Sequence, residues 1–260
     1  MIFAVGLYQD DLMNWGEQVQ WREKVHQRYP EIWTLKIVRK RLPFILKHLR
    51  NGESVLEIGA FDRSLEGRLK KFYPEILYKS LDIDPSYPHE YSSFEEVKEE
   101  FDMVLLFEVI EHLNRGDGRE MVAKVFEILK PGGRVILTTP NTYTPGQYWK
   151  DASHQTPYHY EELGGLFLSQ QFGPVEIYRL FNGSFLRYVM RVYLLSSVFR
   201  FLGIDFTKSI LLVAQKAPSS FPLPRPVPFM PMAGFRAREG EGGPAYRSLG
   251  AGRGEGGVGI

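Results

Sequence analysis

Two periodicities divide the chain. From Asp10 to about Leu49 the apolar residues Trp15, Val19, Trp21, Val25, Ile32, Trp33, Ile37, Val38 and Ile45 recur at three- and four-residue steps, as on one helix face. Pro30 and Pro43 interrupt that pattern, which predicts two or three N-terminal helices. After residue 50 short apolar runs take over: "SVLEIG" (54–59), "LYKSLDI" (77–83), "FDMVLLF" (101–107), "RVILTTP" (134–140), "VEIYRLF" (175–181) and "SILLVAQ" (209–215). Helical stretches near 64–73, 117–130, 160–171 and 184–202 lie between them. Apolar runs alternating with helices need a sheet covered on both faces, so the pattern predicts a doubly wound, mostly parallel α/β sheet with right-handed crossovers. Residues 84–100 leave room only for a short strand, around "HEYSSF" (89–94).

The expected organisation is an N-terminal helical segment (1–50), an α/β domain (51–217) and a tail (218–260). The tail holds ten of the chain's 25 glycines and seven of its 17 prolines. Such a stretch buries too little side chain to offset the entropy of ordering, so it reads as disordered, with a proline-rich docking segment as the alternative. In the 184–202 stretch the apolar residues fall nearly all round the helix, which predicts packing against the sheet or a second chain, a homodimer in the latter case. A pocket lid and lipid-surface contact are the other readings. Arg187, Arg191 and Arg200 argue against a membrane span, since each charge near a bilayer centre costs about 2.5–3.5 kcal/mol. The opening "MIFAVGLYQDDL" is too short, and lacks the basic start, for a signal peptide.

Composition narrows the chemistry. Lys plus Arg number 32 against 31 Asp plus Glu, so no global field selects nucleic acid as a partner. The absence of cysteine rules out disulfides, thiolate nucleophiles and cysteine-ligated metals, and fits a cytoplasmic setting. No H-x-x-x-H pair or converging acidic cluster is evident, so no metal site is expected.

Ligands of open α/β sheets sit beyond the carboxyl ends of the strands. There Gly59 can form the tight turn after the first strand, Asp82 follows it by 23 residues at the distance of a ribose-binding acid, and "FEVIEHL" (107–113) closes another buried run. The dinucleotide fingerprint fails, because Phe61 and Ser64 stand where glycines belong, which disfavours a nicotinamide-dependent oxidoreductase. No P-loop motif occurs in the chain.

"VLEIGAFDRSL", "YKSLDID", "FDMVLLFEVIEHL" and "ILKPGGRVILTTPN", in this order, resemble the Rossmann-like (class I) S-adenosylmethionine-dependent methyltransferases over about residues 35–216. The resemblance implies a seven-stranded sheet with an antiparallel last strand, "SILLVAQ" beside "VEIYRLF". It implies S-adenosylmethionine as cofactor. Glu57 matches the acid that approaches the methionine amino group, Gly59 and Ala60 the backbone beneath methionine and ribose, and Asp82 the acid on the ribose hydroxyls. Ile83 matches the residue packing on adenine, and Phe107 and Glu108 offer backbone to the amino-acid moiety. The family's usual glycines are replaced by Phe61 and Arg63, although Asp62 matches an aspartate of some relatives. The acid or amide that holds the adenine amine has no clear match, Ser92 and Ser93 being nearest.

Two readings follow. One is an enzyme transferring a methyl group in line to a small-molecule acceptor, and the other a non-catalytic binding module whose loop has decayed at Phe61 and Arg63. A general base is needed only where the acceptor loses a proton, and His112, His154 and His159 are the candidates. Glu111 and His112 are adjacent in sequence and so do not face each other on a helix.

Overall fold

The computed structural model describes residues 15–218. The expected tail beyond Pro218 and the opening segment lie outside the described residues. Helix α1 (Trp15–Arg28) ends just before Pro30 and packs on α5 (Tyr160–Ser169). Gly164 and Gly165 let the two backbones approach, because a Cβ at Gly164 would stand 2.8 Å from Ile177 Cδ1 and 3.0 Å from Val25 Cγ2.

Seven strands form one sheet: β1 (Lys36–Val38), β2 (Ser54–Ile58), β3 (Leu77–Leu81), β4 (Phe101–Phe107), β5 (Leu129–Pro140), β6 (Phe172–Leu180) and β7 (Ser209–Lys216). Their spatial order is β1-β6-β7-β5-β4-β2-β3, and only β7 runs antiparallel to its neighbours. The seven-stranded, doubly wound sheet and its antiparallel last strand are therefore as expected. The source of the seventh strand is not. Residues 36–38 pair with β6 instead of continuing a helix, while "HEYSSF" contributes a single bridge, Tyr91 to Leu81. Helix-like spacing in 32–45 came from two elements meeting end to end, the three-residue β1 and then α2 (Arg41–His48), with Pro43 accommodated in the first turn of α2.

Strand alternation splits the core. Leu56, Ile58, Val104, Leu106, Val135 and Leu137 face α1, α5 and α4 (Arg115–Ile128). Val55, Met103, Leu105, Ile136 and Leu211 face α2 and α3 (Ser64–Lys70). At "LKPGGRV" the strand starts earlier than its apolar run, at Leu129, with a register break against β4. Gly133 is required there, because a Cβ would lie 2.8 Å from the Lys130 carbonyl oxygen and 3.0 Å from that of Phe101.

Between β6 and β7 the chain forms three short helical turns: α6 (Phe185–Val189), a π-helical turn (Met190–Leu194) and α7 (Ser196–Phe201). The expected burial of this stretch against the sheet is corrected, since its large apolar side chains are mostly exposed. The break into three pieces keeps any one face from lining up on the sheet. No described helix is long and apolar enough to cross a membrane.

A buried polar knot closes the base of this excursion. Arg179 Nη1 donates to Asp205 Oδ1 at 3.0 Å and Arg179 Nε to the Leu35 carbonyl at 3.1 Å. Asn141 Nδ2 donates to Asp205 Oδ2 at 2.8 Å, and the Thr207 hydroxyl also donates to Asp205. Asp205 is 1% exposed, so removing it strands a guanidinium away from water. Asp205→Ala is expected to destabilise the fold by about 3–5 kcal/mol in urea unfolding, and the added change Arg179→Met to recover part of that loss.

Candidate functional site

The parallel strands all point their carboxyl ends to one edge of the sheet, and the residues singled out in the sequence meet there. Gly59 leaves β2 at φ +72°, and a Cβ on it would lie 2.4 Å from Val109 Cγ2, so only glycine fits. Phe61 and Arg63 follow with φ of 45° and 57°. The loop thus keeps the left-handed backbone that glycine adopts freely, at about 1–2 kcal/mol for each side chain carried there. Arg63 is turned aside, donating to the Pro88 carbonyl (3.0 Å), Glu66 (3.0 Å) and Glu90 (2.8 Å). Phe61 is 59% exposed and meets Tyr87 edge-on. Asp62 accepts from the Ser64 amide at 3.0 Å and so starts α3.

Asp82 is braced against this loop. Its Oδ2 accepts from the Phe61 amide at 2.8 Å and its Oδ1 from the Asp84 amide at 2.9 Å. Gly59 N donates to the Leu81 carbonyl, fixing the spacing between the two strand ends. Ala60 is buried and Ile83 almost fully exposed beside Asp82. Ser92 is committed elsewhere, with its amide and hydroxyl both donating to Glu96.

Glu57 lies at the same edge, 6% exposed, and accepts a hydrogen bond from the Tyr78 hydroxyl. Burial pushes its carboxyl up to about 7 against the downward pull of Tyr78 and of Arg41. Arg41, from α2, stands 4.0 Å over the Phe107 ring and feels the charges of Glu57 and Glu108, while burial lowers its own pKa. Neither Arg41 nor Tyr78 was among the sequence candidates; Arg41 sits in what the periodicity assigned to the N-terminal helices. Glu108 leaves β4 at φ +57°, which swings Val109 toward Gly59.

The turn after Glu108 carries the second cluster. Glu111 is fully buried, with Oε2 accepting from Thr139 at 3.1 Å and Oε1 without a partner. Burial first, then the charge of Glu108, pushes its carboxyl up to about 8. His154 Nδ1 lies 2.7 Å from the Tyr148 carbonyl, which can only accept, so the proton sits on Nδ1 and Nε2 keeps its lone pair. Ser153 Oγ gives its proton to Asp151 (2.6 Å) and therefore accepts from His112 Nδ1 at 2.9 Å. His112 Nδ1 carries a proton in the same way. The two rings meet at 4.7 Å. His159 does not join them: it caps α5 by accepting from the Glu161 amide, and it contacts Tyr143 and Tyr160.

One ligating atom each of Glu111, His112 and His154 lies within 4.8 Å of the others. The three could hold a divalent cation, a grouping that the sequence did not foretell because 42 residues separate His112 from His154. A cavity of about 270 Å³ is lined by Trp21, Arg22, Arg115, Gln155, Tyr158 and Leu166, with none of the three cluster residues in its wall. The Gln155 and Thr156 amides donate to the Glu111 carbonyl and tie this wall to the turn.

Residues 25–184, more than half of the chain, match the family described as a methyltransferase domain. The chain belongs to the class I S-adenosylmethionine-dependent methyltransferases. A Mycolicibacterium smegmatis protein named as an S-adenosylmethionine-dependent methyltransferase is 37% identical over 71 residues. That match spans 26% of this chain and 25% of the relative's length. A SAM-dependent methyltransferase structure from Archaeoglobus fulgidus aligns with a TM-score of 0.56 at 18% identity, covering 75% of this chain and 94% of the other. A complex between the Haloferax volcanii Trm112 methyltransferase activator and a methyltransferase gives a TM-score of 0.51 at 12% identity, covering 78% and 96%. At these identities the likeness is one of fold. The cofactor of this methyltransferase is S-adenosylmethionine.

Calorimetric titration of the methyltransferase with Mn²⁺ is expected to show one bound ion. His154→Ala should weaken it at least about tenfold without shifting the melting temperature by more than a few degrees.

Proposed function

We propose that the chain transfers the methyl group of S-adenosylmethionine in line to a small-molecule acceptor. The left-handed backbone at Gly59, Phe61 and Arg63, facing the Asp82 carboxylate, carries this reading. It supports a cradle whose turn survives the loss of two glycines, with the Arg63 side chain drawn off to Glu66 and Glu90. That weighs against the non-catalytic alternative.

In this reading Asp82 accepts from both ribose hydroxyls and Ile83 lies against adenine. Gly59, Ala60 and Asp62 run beneath the cofactor, and Phe107 and Glu108 present backbone to its amino-acid end. Glu57 holds the methionine amino group, with Tyr78 and Arg41 positioning its carboxylate. The sulfonium supplies an electrophilic methyl, so the protein's work is to align the acceptor and keep water out. An acceptor seated in the 270 Å³ cavity would lie against Gln155, the residue that follows His154 in the chain. With Nδ1 holding the proton, the free Nε2 of either histidine can take one from an acceptor hydroxyl. A cation on the Glu111 cluster would instead acidify that hydroxyl directly.

S-adenosylhomocysteine is expected to bind in calorimetry, with Asp82→Ala weakening it by about 1.5–3 kcal/mol, roughly 10- to 150-fold. No heat and no thermal shift at millimolar cofactor would sink the proposal.

Glu57 adds a proton linkage. Its folded pKa, about 7, lies above the 4.5 of an ordinary glutamate. The free protein therefore keeps a proton that the unfolded chain releases, and its stability falls as pH rises from about 4.5 to 7. An ammonium group beside Glu57 favours the carboxylate, so cofactor binding should release a proton in that same window. Calorimetry in buffers of different ionisation enthalpy at pH 6 reads it, and Glu57→Gln should abolish it.

A further inference from the structure

The excursion between β6 and β7 exposes apolar side chains that enter neither core. Phe185, Leu186, Tyr193, Leu194, Phe201 and Leu202 are 57–89% exposed along three successive helical turns. A run of this size does not stand open to water without a partner.

Charge points to the kind of partner. Residues 182–204 contain Arg187, Arg191 and Arg200 and no acid. At the foot of the excursion the Arg39 guanidinium lies over the Phe185 and Tyr188 rings, at 5.0 and 5.1 Å, and Lys40 is exposed beside it. Two copies set face to face on this patch would bring arginines against arginines, with no carboxylate in the segment to pair them. A surface that is apolar and carries anions answers both features.

We propose that this face docks on an anionic phospholipid surface. The rings and leucines enter the boundary between headgroups and acyl chains, and the arginines extend along them to the lipid phosphates. The excursion starts at the carboxyl end of β6, and Arg39 to Arg41 follow the carboxyl end of its parallel neighbour β1. Both lie on the edge that carries the 59–63 loop, so docking turns that edge toward the bilayer. The inference rests on exposure and charge and stands apart from the methyl-transfer reading.

Vesicle flotation of the full chain tests it. The protein should float with vesicles of phosphatidylcholine and phosphatidylglycerol and not with phosphatidylcholine alone, and added salt should weaken the binding. Each arginine at such a surface contributes roughly fivefold, so Arg187→Glu with Arg200→Glu should cut the bound fraction more than about tenfold. Leu186→Ser with Phe201→Ser should do the same. Melting temperatures should not move, because these side chains are exposed. Failure to float with anionic vesicles overturns the proposal, as does equal binding to neutral ones. It also fails if sedimentation velocity shows a dimer that Leu186→Ser with Phe201→Ser abolishes.

Discussion

Gly59 turns the chain out of β2 at φ +72° while Val109 presses in where a Cβ would stand, and the layout of the strand ends depends on that contact. Val109 reaches it because Glu108 also leaves its strand with a left-handed turn. The exits of two neighbouring parallel strands are thus fitted to each other. Asp82 joins them from the third strand by accepting from the Phe61 amide, so one hydrogen bond links the ribose-binding candidate to the conformation of the loop. A side chain at 59 would meet Val109 and push the exits of β2 and β4 apart at the proposed cofactor cradle.

This explains which parts of the site could be read from the sequence. Apolar runs with a glycine at 59 and acids at 82 and 108 mark strand ends whatever the loop between them does, and those residues do converge. Phe61 and Arg63 mislead because the side chain at a position does not by itself reveal its backbone conformation. Glycine is favoured in left-handed conformations but not obligatory, and Arg63 offsets its strain through bonds to Glu66 in the following turn and to Pro88 and Glu90, which lie remote in sequence. The strand at 36–38 is hidden in the sequence for a related reason. Three residues are too few for a period of two to show, and what makes them a strand is pairing with Tyr178 to Leu180, some 140 residues away. Only the fold brings His154 to His112.

Two buried carboxyls, Glu57 and Glu111, at the ends of neighbouring strands would be costly as charges. Burial holds both protons on more firmly than in water, and each awaits a positive group. Their surroundings separate their roles. Glu57 has Tyr78 and Arg41 at hand and suits an ammonium that comes and goes. Glu111 has one oxygen on Thr139, the other free, and two histidines whose lone pairs face out of their own hydrogen-bond networks. That donor set suits a cation more than a cofactor's amino group.

The sheet order gives the remaining asymmetry its meaning. The residues proposed to cradle the cofactor leave β2, β3 and β4 on one side of the edge, and the apolar, arginine-bearing excursion rises beyond β6 and β1 on the other. Arg41 spans the interval, following the Arg39 that stacks on the excursion and itself standing over Phe107 at the end of β4. Any force that seats the excursion on a surface therefore bears on a helix start that touches the cofactor edge.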